Sequence, residues 1–119
     1  MRQLKVLIID DDNDLRAMLE QLLRIHQTEL ALVGSVGRGI DGLILTKARK
    51  PDVVILDINL PEVSGTNYID LLAAEGADIV VYSANEHYEL HSHPSVASVI
   101  RKTSVRSLIE WLLERQVRV

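Results

Sequence analysis

Two apolar runs, Leu7-Ile8-Ile9 and Val53-Val54-Ile55-Leu56, end on carboxylates: Asp10-Asp11-Asp12 after the first and Asp57 after the second. Runs of this length and composition suit strands buried on both faces, as in parallel sheets. An open parallel sheet places its ligand site outside the carboxyl ends of its strands. Both runs therefore deliver acid to the same edge. Gathered carboxylates repel, so positive charge belongs among them, and a hard divalent cation with oxygen ligands is the natural candidate.

The rest of the chain alternates strands with helical patterns. Residues 4–9 read as the first strand and about 14–26 as the first helix, with Asp12 or Asn13 able to cap it. Leu15, Met18, Leu19, Leu22 and Leu23 fall on one stripe of that helix. Residues 30–36 form a second strand. A weaker second helix begins around Gly37 to Gly42, with Ile40, Leu43, Ile44 and Ala48 on one face, and stops before Pro51. The third strand is 53–57. A loop rich in turn formers, residues 59–65, leads to a third helix over 65–74, which ends before Gly76.

A fourth strand spans 78–82, with Ser83 at its end. A short helical stretch near 85–91 stops before Pro94. The fifth strand is about 97–100, followed by Lys102. A last helix, 104–116, carries Val105, Leu108, Ile109, Leu112 and Leu113 on its buried side. Strict alternation predicts an α/β domain with right-handed crossovers. The expected architecture is a flavodoxin-like, doubly wound, five-stranded parallel sheet in the order 2-1-3-4-5, with helices on both faces. Its switch point lies between strands one and three. Asp10, Asp11 and Asp57 meet there, and Ser83 and Lys102 close the crevice.

At 119 residues and 47% hydrophobic, the chain suits a single domain, 1–119, with a real core. A net charge of −4 argues against nonspecific binding to nucleic acid or an anionic membrane. No apolar run is long enough to span a bilayer. The absence of cysteine excludes a disulfide framework and thiol chemistry. With no signal peptide visible before the first strand, it fits a reducing cytoplasm.

These residues together resemble a response-regulator receiver domain, the phosphoacceptor module of two-component systems. The likeness covers essentially the whole chain. It rests on the acidic pair Asp10-Asp11, on Asp57-Ile58-Asn59-Leu60-Pro61 with Gly65 eight residues past Asp57, on Ser83-Ala84, and on Lys102. The resemblance implies that Asp57 is the nucleophile and holds the phosphoryl group as an acyl phosphate. It implies Mg²⁺ held by Asp11 directly, Asp10 through water, the Asp57 carboxylate and the Asn59 backbone carbonyl. Lys102 would face the phosphoryl oxygens, Ser83 would offer one of them a hydroxyl, and Ala84 would leave them room. Positioning and charge stabilisation carry most of such a transfer.

The implied donors are a sensor histidine kinase or phosphotransfer protein, with acetyl phosphate as a small substitute. The implied result is a switched protein-binding surface rather than a turnover enzyme. Three departures stand out. Val99 occupies a position where the family usually has an aromatic switch residue. Thr103 follows Lys102 where proline is common. The interval from Ser83 to Lys102 is short by nearly one helical turn.

Two other readings compete. One is a pseudo-receiver that binds proteins without phosphorylation. The other is a metal-dependent phosphohydrolase, which would want a second acid beside Asp57 and a lid that the sequence does not supply. Taken singly, Asp11 to Asn13 could be a helix cap alone, and Ser83 or Lys102 an ordinary strand-end residue. His87, His91 and His93 read as a polar surface able to respond to pH more readily than as a metal site. Trp111 lies outside the Leu108/Leu112 stripe. It is either partly buried or an anchor for an output domain or homodimer on the strand-five/helix-five side. Arg106, Arg115 and Arg118 read as a solvated face.

Overall fold

The computed structural model describes residues 2–60 and 64–119; Pro61, Glu62 and Val63 of the expected loop lie outside the described residues. The elements are β1 (Leu4–Ile9), α1 (Asn13–Ile25), β2 (Leu30–Val36), α2 (Gly39–Arg49), β3 (Val53–Leu56), α3 (Thr66–Ala73), β4 (Asp78–Ser83), a 3₁₀ segment (Tyr88–Ser92), β5 (Val96–Arg101) and α4 (Val105–Gln116). The strands pair in parallel in the order β2-β1-β3-β4-β5, as the alternation requires.

Successive strand residues face opposite sides, so each strand feeds two cores. Leu4, Val6, Ile8, Val53, Ile55, Val80 and Tyr82 pack on one side with Leu19 and Leu23 of α1 and Leu108 and Leu112 of α4. On the other, Leu7, Ile9, Val54, Leu56, Ile79 and Val81 meet Ile69 and Leu72 of α3 and Leu90 of the 3₁₀ segment. Each fully buried aliphatic side chain contributes about 1.5–3 kcal/mol. A surface ion pair adds at most about 1, so the two cores, not the surface charges, fix the sheet that carries the site.

Three local expectations need correction. In α1, Leu19 and Leu23 are buried but Met18 is exposed. In α2 the buried residues are Gly39, Gly42 and Thr46, with Leu43 and Leu45 partly covered, while Ile40, Ile44 and Ala48 face solvent. The reason is close approach. A Cβ on Gly42 would fall 2.6 Å from Cγ1 of Ile9, and one on Gly39 would fall 2.6 Å from Cδ2 of Tyr68 and nearer still to Cε2 of the same ring. Thr46 donates its hydroxyl to the Gly42 carbonyl at 2.8 Å, so its burial leaves that hydroxyl paired. The helix docks through small residues, and the larger apolar ones mark the wrong face.

The third correction concerns the helical stretch expected near 85–91. The structure has only the five-residue 3₁₀ segment there, anchored by buried Leu90. This accounts for the short interval between Ser83 and Lys102. Trp111 is partly buried against the first core, so its ring is at least in part a packing group.

Asp52, before β3, ties down the opposite edge of the sheet. It accepts two bonds from the Arg2 guanidinium, both at 2.9 Å, and one from the Lys5 amide at 2.8 Å. Burial pushes its carboxyl up, but these donors outweigh burial and hold it below the usual carboxylate value. A depressed pKa adds stability that is present above the unfolded-state value and lost as pH falls through the folded one. Asp52→Asn keeps one oxygen for the Lys5 amide but loses the charge and the second acceptor, and is expected to lower stability by about 1 kcal/mol at neutral pH, the exposed guanidinium being screened. Urea denaturation of both proteins should show that difference closing as pH drops below the carboxylate range.

Candidate functional site

The parallel ladder continues one residue past β1 and β3. The Asp10 amide donates to the Val36 carbonyl at 3.0 Å, and the Asp57 amide donates to the Ile9 carbonyl at 2.9 Å. The register pairs Ile9 with Leu56. Asp10 and Asp57 are thus set side by side at the switch point by the strands themselves. Two residues past Asp10, the Asp12 side chain caps α1, accepting from the amides of Asp14 at 3.0 Å and Leu15 at 3.1 Å. The acidic run therefore divides its labour between a helix cap and the crevice.

Asp10, Asp11 and Asp57 can each offer an oxygen within 4.8 Å of the others. Asp10 and Asp57 are buried, while Asp11 is exposed. Lys102, one residue past β5, reaches across to them. Its Nζ lies 2.8 Å from Asp10 and 3.4 Å from Asp57. The carbonyl of Ser83, at the end of β4, accepts from the Lys102 amide at 2.9 Å and fixes the start of that reach.

The electrostatics follow from this packing. Burial pushes the Asp10 carboxyl up and the Asp57 charge adds to it; bonds from Lys102 and the Asp12 amide only partly offset the rise. Burial acts on Lys102 in the opposite sense, but its bond to Asp10 and the two carboxylate charges outweigh it and hold the ammonium protonated. Three carboxylates meet a single ammonium in direct contact with them, so negative charge remains in excess there. Hard oxygen donors with that excess match a divalent cation such as Mg²⁺.

Asn59 is exposed, and its amide donates to Oδ1 of Asp57 at 3.0 Å, which orients that carboxylate. The Gly65 amide donates to the Ile58 carbonyl at 2.7 Å and holds Gly65 close to the end of β3. Ser83 is fully buried. Asp10, Asp11, Asp57 and Lys102 are thus brought together at the carboxyl edge of the sheet, with Asn59 and Ser83 on the segments that follow or close β3 and β4.

Two side chains at this edge, Arg16 and His87, make contacts that escape sequence reasoning. Arg16 of α1 donates from Nη1 to the Asp10 carbonyl at 2.6 Å and from Nη2 to Asn13 at 2.7 Å. Nε2 of His87 lies 3.0 Å from the Ser83 hydroxyl. Arg16 gives no signal, since nothing distinguishes it from a solvated helical arginine. The four-residue spacing of Ser83 and His87 is a usable hint once the intervening turn is known. Val99, at the position of the usual aromatic residue, packs partly buried in the second core.

This fold, with acid and an ammonium at the switch point, defines a phosphoacceptor type of signalling domain. Comparison with known proteins agrees. The response regulator receiver domain family matches residues 6–101, and the chain belongs to that family. A nitrate/nitrite response regulator protein homolog from Haemophilus influenzae is 30% identical over 116 residues, covering 92% of this chain and 55% of that protein. The nitrate/nitrite response regulator NarL of Escherichia coli K12 is 33% identical over 86 residues, 71% of this chain and 39% of NarL. The chain thus spans about half or less of these relatives' length. Among solved structures, the response regulator domain of Thermotoga maritima CheB superposes with a TM-score of 0.81 at 22% identity, covering 98% of this chain and 96% of that one. No described helix is long and apolar enough to cross a membrane.

Proposed function

We propose that Asp57 is the phosphoacceptor of this receiver domain and that Lys102 and Ser83 serve the transfer. The observation that carries the reading is the approach of Asp10, Asp11 and Asp57 to within 4.8 Å, with the Lys102 ammonium on two of the three. An oxygen of Asp57 attacks phosphorus, the bond to the donor breaks, and the leaving group keeps that electron pair. The donor is a phosphohistidine of a sensor histidine kinase or phosphotransfer protein, or acetyl phosphate. Lys102, already 3.4 Å from the attacking carboxylate, stabilises the charge on the phosphoryl oxygens. Ser83 donates its hydroxyl to one of them. Asp10, Asp11, the Asp57 carboxylate and the Asn59 carbonyl would hold Mg²⁺. When bound, that ion offsets the repulsion between an anionic nucleophile and an anionic donor.

The domain is modified once per signalling cycle and does not turn over a substrate. Its product is a changed protein-binding surface, read by an output domain or a second copy through the β5/α4 side, in the cytoplasm. Intact mass after incubation with Mg²⁺ and acetyl phosphate tests the assignment. One phosphoryl group should appear on the wild type and none on Asp57→Ala. Absence of both the adduct and Mg²⁺ binding would leave a pseudo-receiver.

A further inference from the structure

The Ser83 hydroxyl has two partners among the described residues: the Asn85 amide at 3.3 Å and Nε2 of His87 at 3.0 Å. Ser83 is fully buried, and a buried hydroxyl keeps its one proton paired. An amide N–H can only donate, so the hydroxyl proton goes to Nε2 of His87. The imidazole then carries its own proton on Nδ1, the nitrogen that faces Oε1 of Glu89 at 3.7 Å. This assignment pairs the Ser83 proton and the Asn85 amide and leaves Nδ1 toward the Glu89 carboxylate, too far for a hydrogen bond.

We infer that His87 is a positioning residue that holds the Ser83 hydroxyl proton before phosphorylation and yields it when Asp57 is phosphorylated. The inference rests on the proposed role of Ser83 toward the phosphoryl group. One proton cannot serve two acceptors. A phosphoryl oxygen is anionic and forms the stronger, charge-assisted bond, so the Ser83 hydroxyl, keeping its proton, donates to it instead. His87 then loses its partner while its side chain is only 16% exposed.

The consequence falls on the segment that follows. The His87 carbonyl accepts from the Leu90 amide at 2.9 Å and starts the 3₁₀ turn. That turn presents Tyr88, 73% exposed, to solvent. Occupancy of the phosphoryl site is thereby coupled to the surface at Tyr88–Ser92. Val99 has no polar side-chain atom and cannot report on the Ser83 proton in this way. The coupling runs through a hydrogen bond between the end of β4 and the loop after it.

Nitrogen NMR on protein labelled at histidine reads the bond directly, with intact mass taken on the same sample. Before phosphorylation, Nε2 of His87 should appear as an unprotonated nitrogen that accepts a hydrogen bond. Ser83→Ala should move it to the position of an unbonded one. Adding Mg²⁺ and acetyl phosphate to the wild type should move it likewise, in proportion to the adduct seen by mass. A full adduct with an unmoved His87 signal overturns the coupling and leaves the phosphoacceptor reading intact. Failure of the adduct itself overturns both. His87→Phe keeps a ring but removes the acceptor, and should raise the rate of phosphorylation about two- to tenfold, the range of one net hydrogen bond. Glu89→Gln should change it less than about twofold, because that contact is loose and exposed.

Discussion

Lys102→Met is expected to slow phosphorylation of Asp57 by about a hundredfold, the loss seen when one preorganised charge is taken from a transition state. It should also destabilise the metal-free protein. The Lys102 ammonium sits 2.8 Å from Asp10 and 3.4 Å from Asp57, two carboxylates with side chains only 3% and 4% exposed. Methionine keeps the bulk and removes the charge, leaving those two buried carboxylates to face each other. Breaking a buried pair by removing one partner costs about 3–5 kcal/mol. Lys102 is itself 21% exposed, so the lower end applies, about 2–3 kcal/mol after screening. Mg²⁺ should narrow the gap, since a bound cation replaces the missing charge. Asp10→Asn in the same protein should also narrow it, by removing one of the two repelling groups. Urea denaturation in chelator and in Mg²⁺ gives the stabilities, and a mass time course gives the rate. Equal stability of variant and wild type in chelator would mean that the ammonium does not hold the crevice together.

The same contact shows how far sequence reasoning reaches and where it stops. Strand order is legible because Leu7-Ile8-Ile9 and Val53-Val54-Ile55-Leu56 read as buried parallel strands and five strands alternate strictly with helical patterns, which a doubly wound sheet requires. Once the order is known, Asp10, Asp57, Ser83 and Lys102 need no further information to meet, because each follows or closes a strand. The finer geometry is not legible. The sequence brings Lys102 to the crevice but does not say that its ammonium rests on Asp10 and Asp57 before any phosphoryl group arrives. An ammonium goes to the nearest uncompensated charge, and a linear sequence does not say which that is.

The buried face of α2 is hidden for a related reason. Hydrophobic periodicity assumes that large apolar side chains mark the buried side. Where a helix sits so near a strand that Gly42 meets Ile9 and Gly39 meets Tyr68, the buried side is written in glycine and threonine. The segment after β4 is obscure for a different reason. Five residues of 3₁₀ turn bury one leucine, which is too little to leave a periodic trace. The bond from Ser83 to His87 depends on that turn and cannot be anticipated without it.

Gly65→Ala is expected to cost about 3 kcal/mol, at the upper end of what overpacking usually does, and to slow phosphorylation more than about tenfold. Backbone strain is not the cause, because Gly65 has φ −57 and ψ −22, open to any residue. The cause is proximity. A Cβ at this position would stand 2.9 Å from Cα of Ile58 and closer still to the carbonyl oxygen of Asp57. Both obstacles are backbone, and neither can rotate away. Nor can Gly65 retreat while its amide stays bonded to the Ile58 carbonyl at 2.7 Å. Relief must therefore come from shifting residues 57 and 58, and a displaced nucleophile loses alignment with its donor. Gly76 supplies the contrast. It has φ +96, and a methyl group added there would meet nothing within 4 Å. Gly76→Ala therefore meets only the left-handed penalty of about 1 kcal/mol and lies away from the crevice. Thermal or urea denaturation should rank Gly65→Ala below Gly76→Ala, and only the first should slow the appearance of the phosphoryl adduct. If both lost stability but phosphorylated at the wild-type rate, the 57–65 approach would be a packing feature and not a means of aiming Asp57.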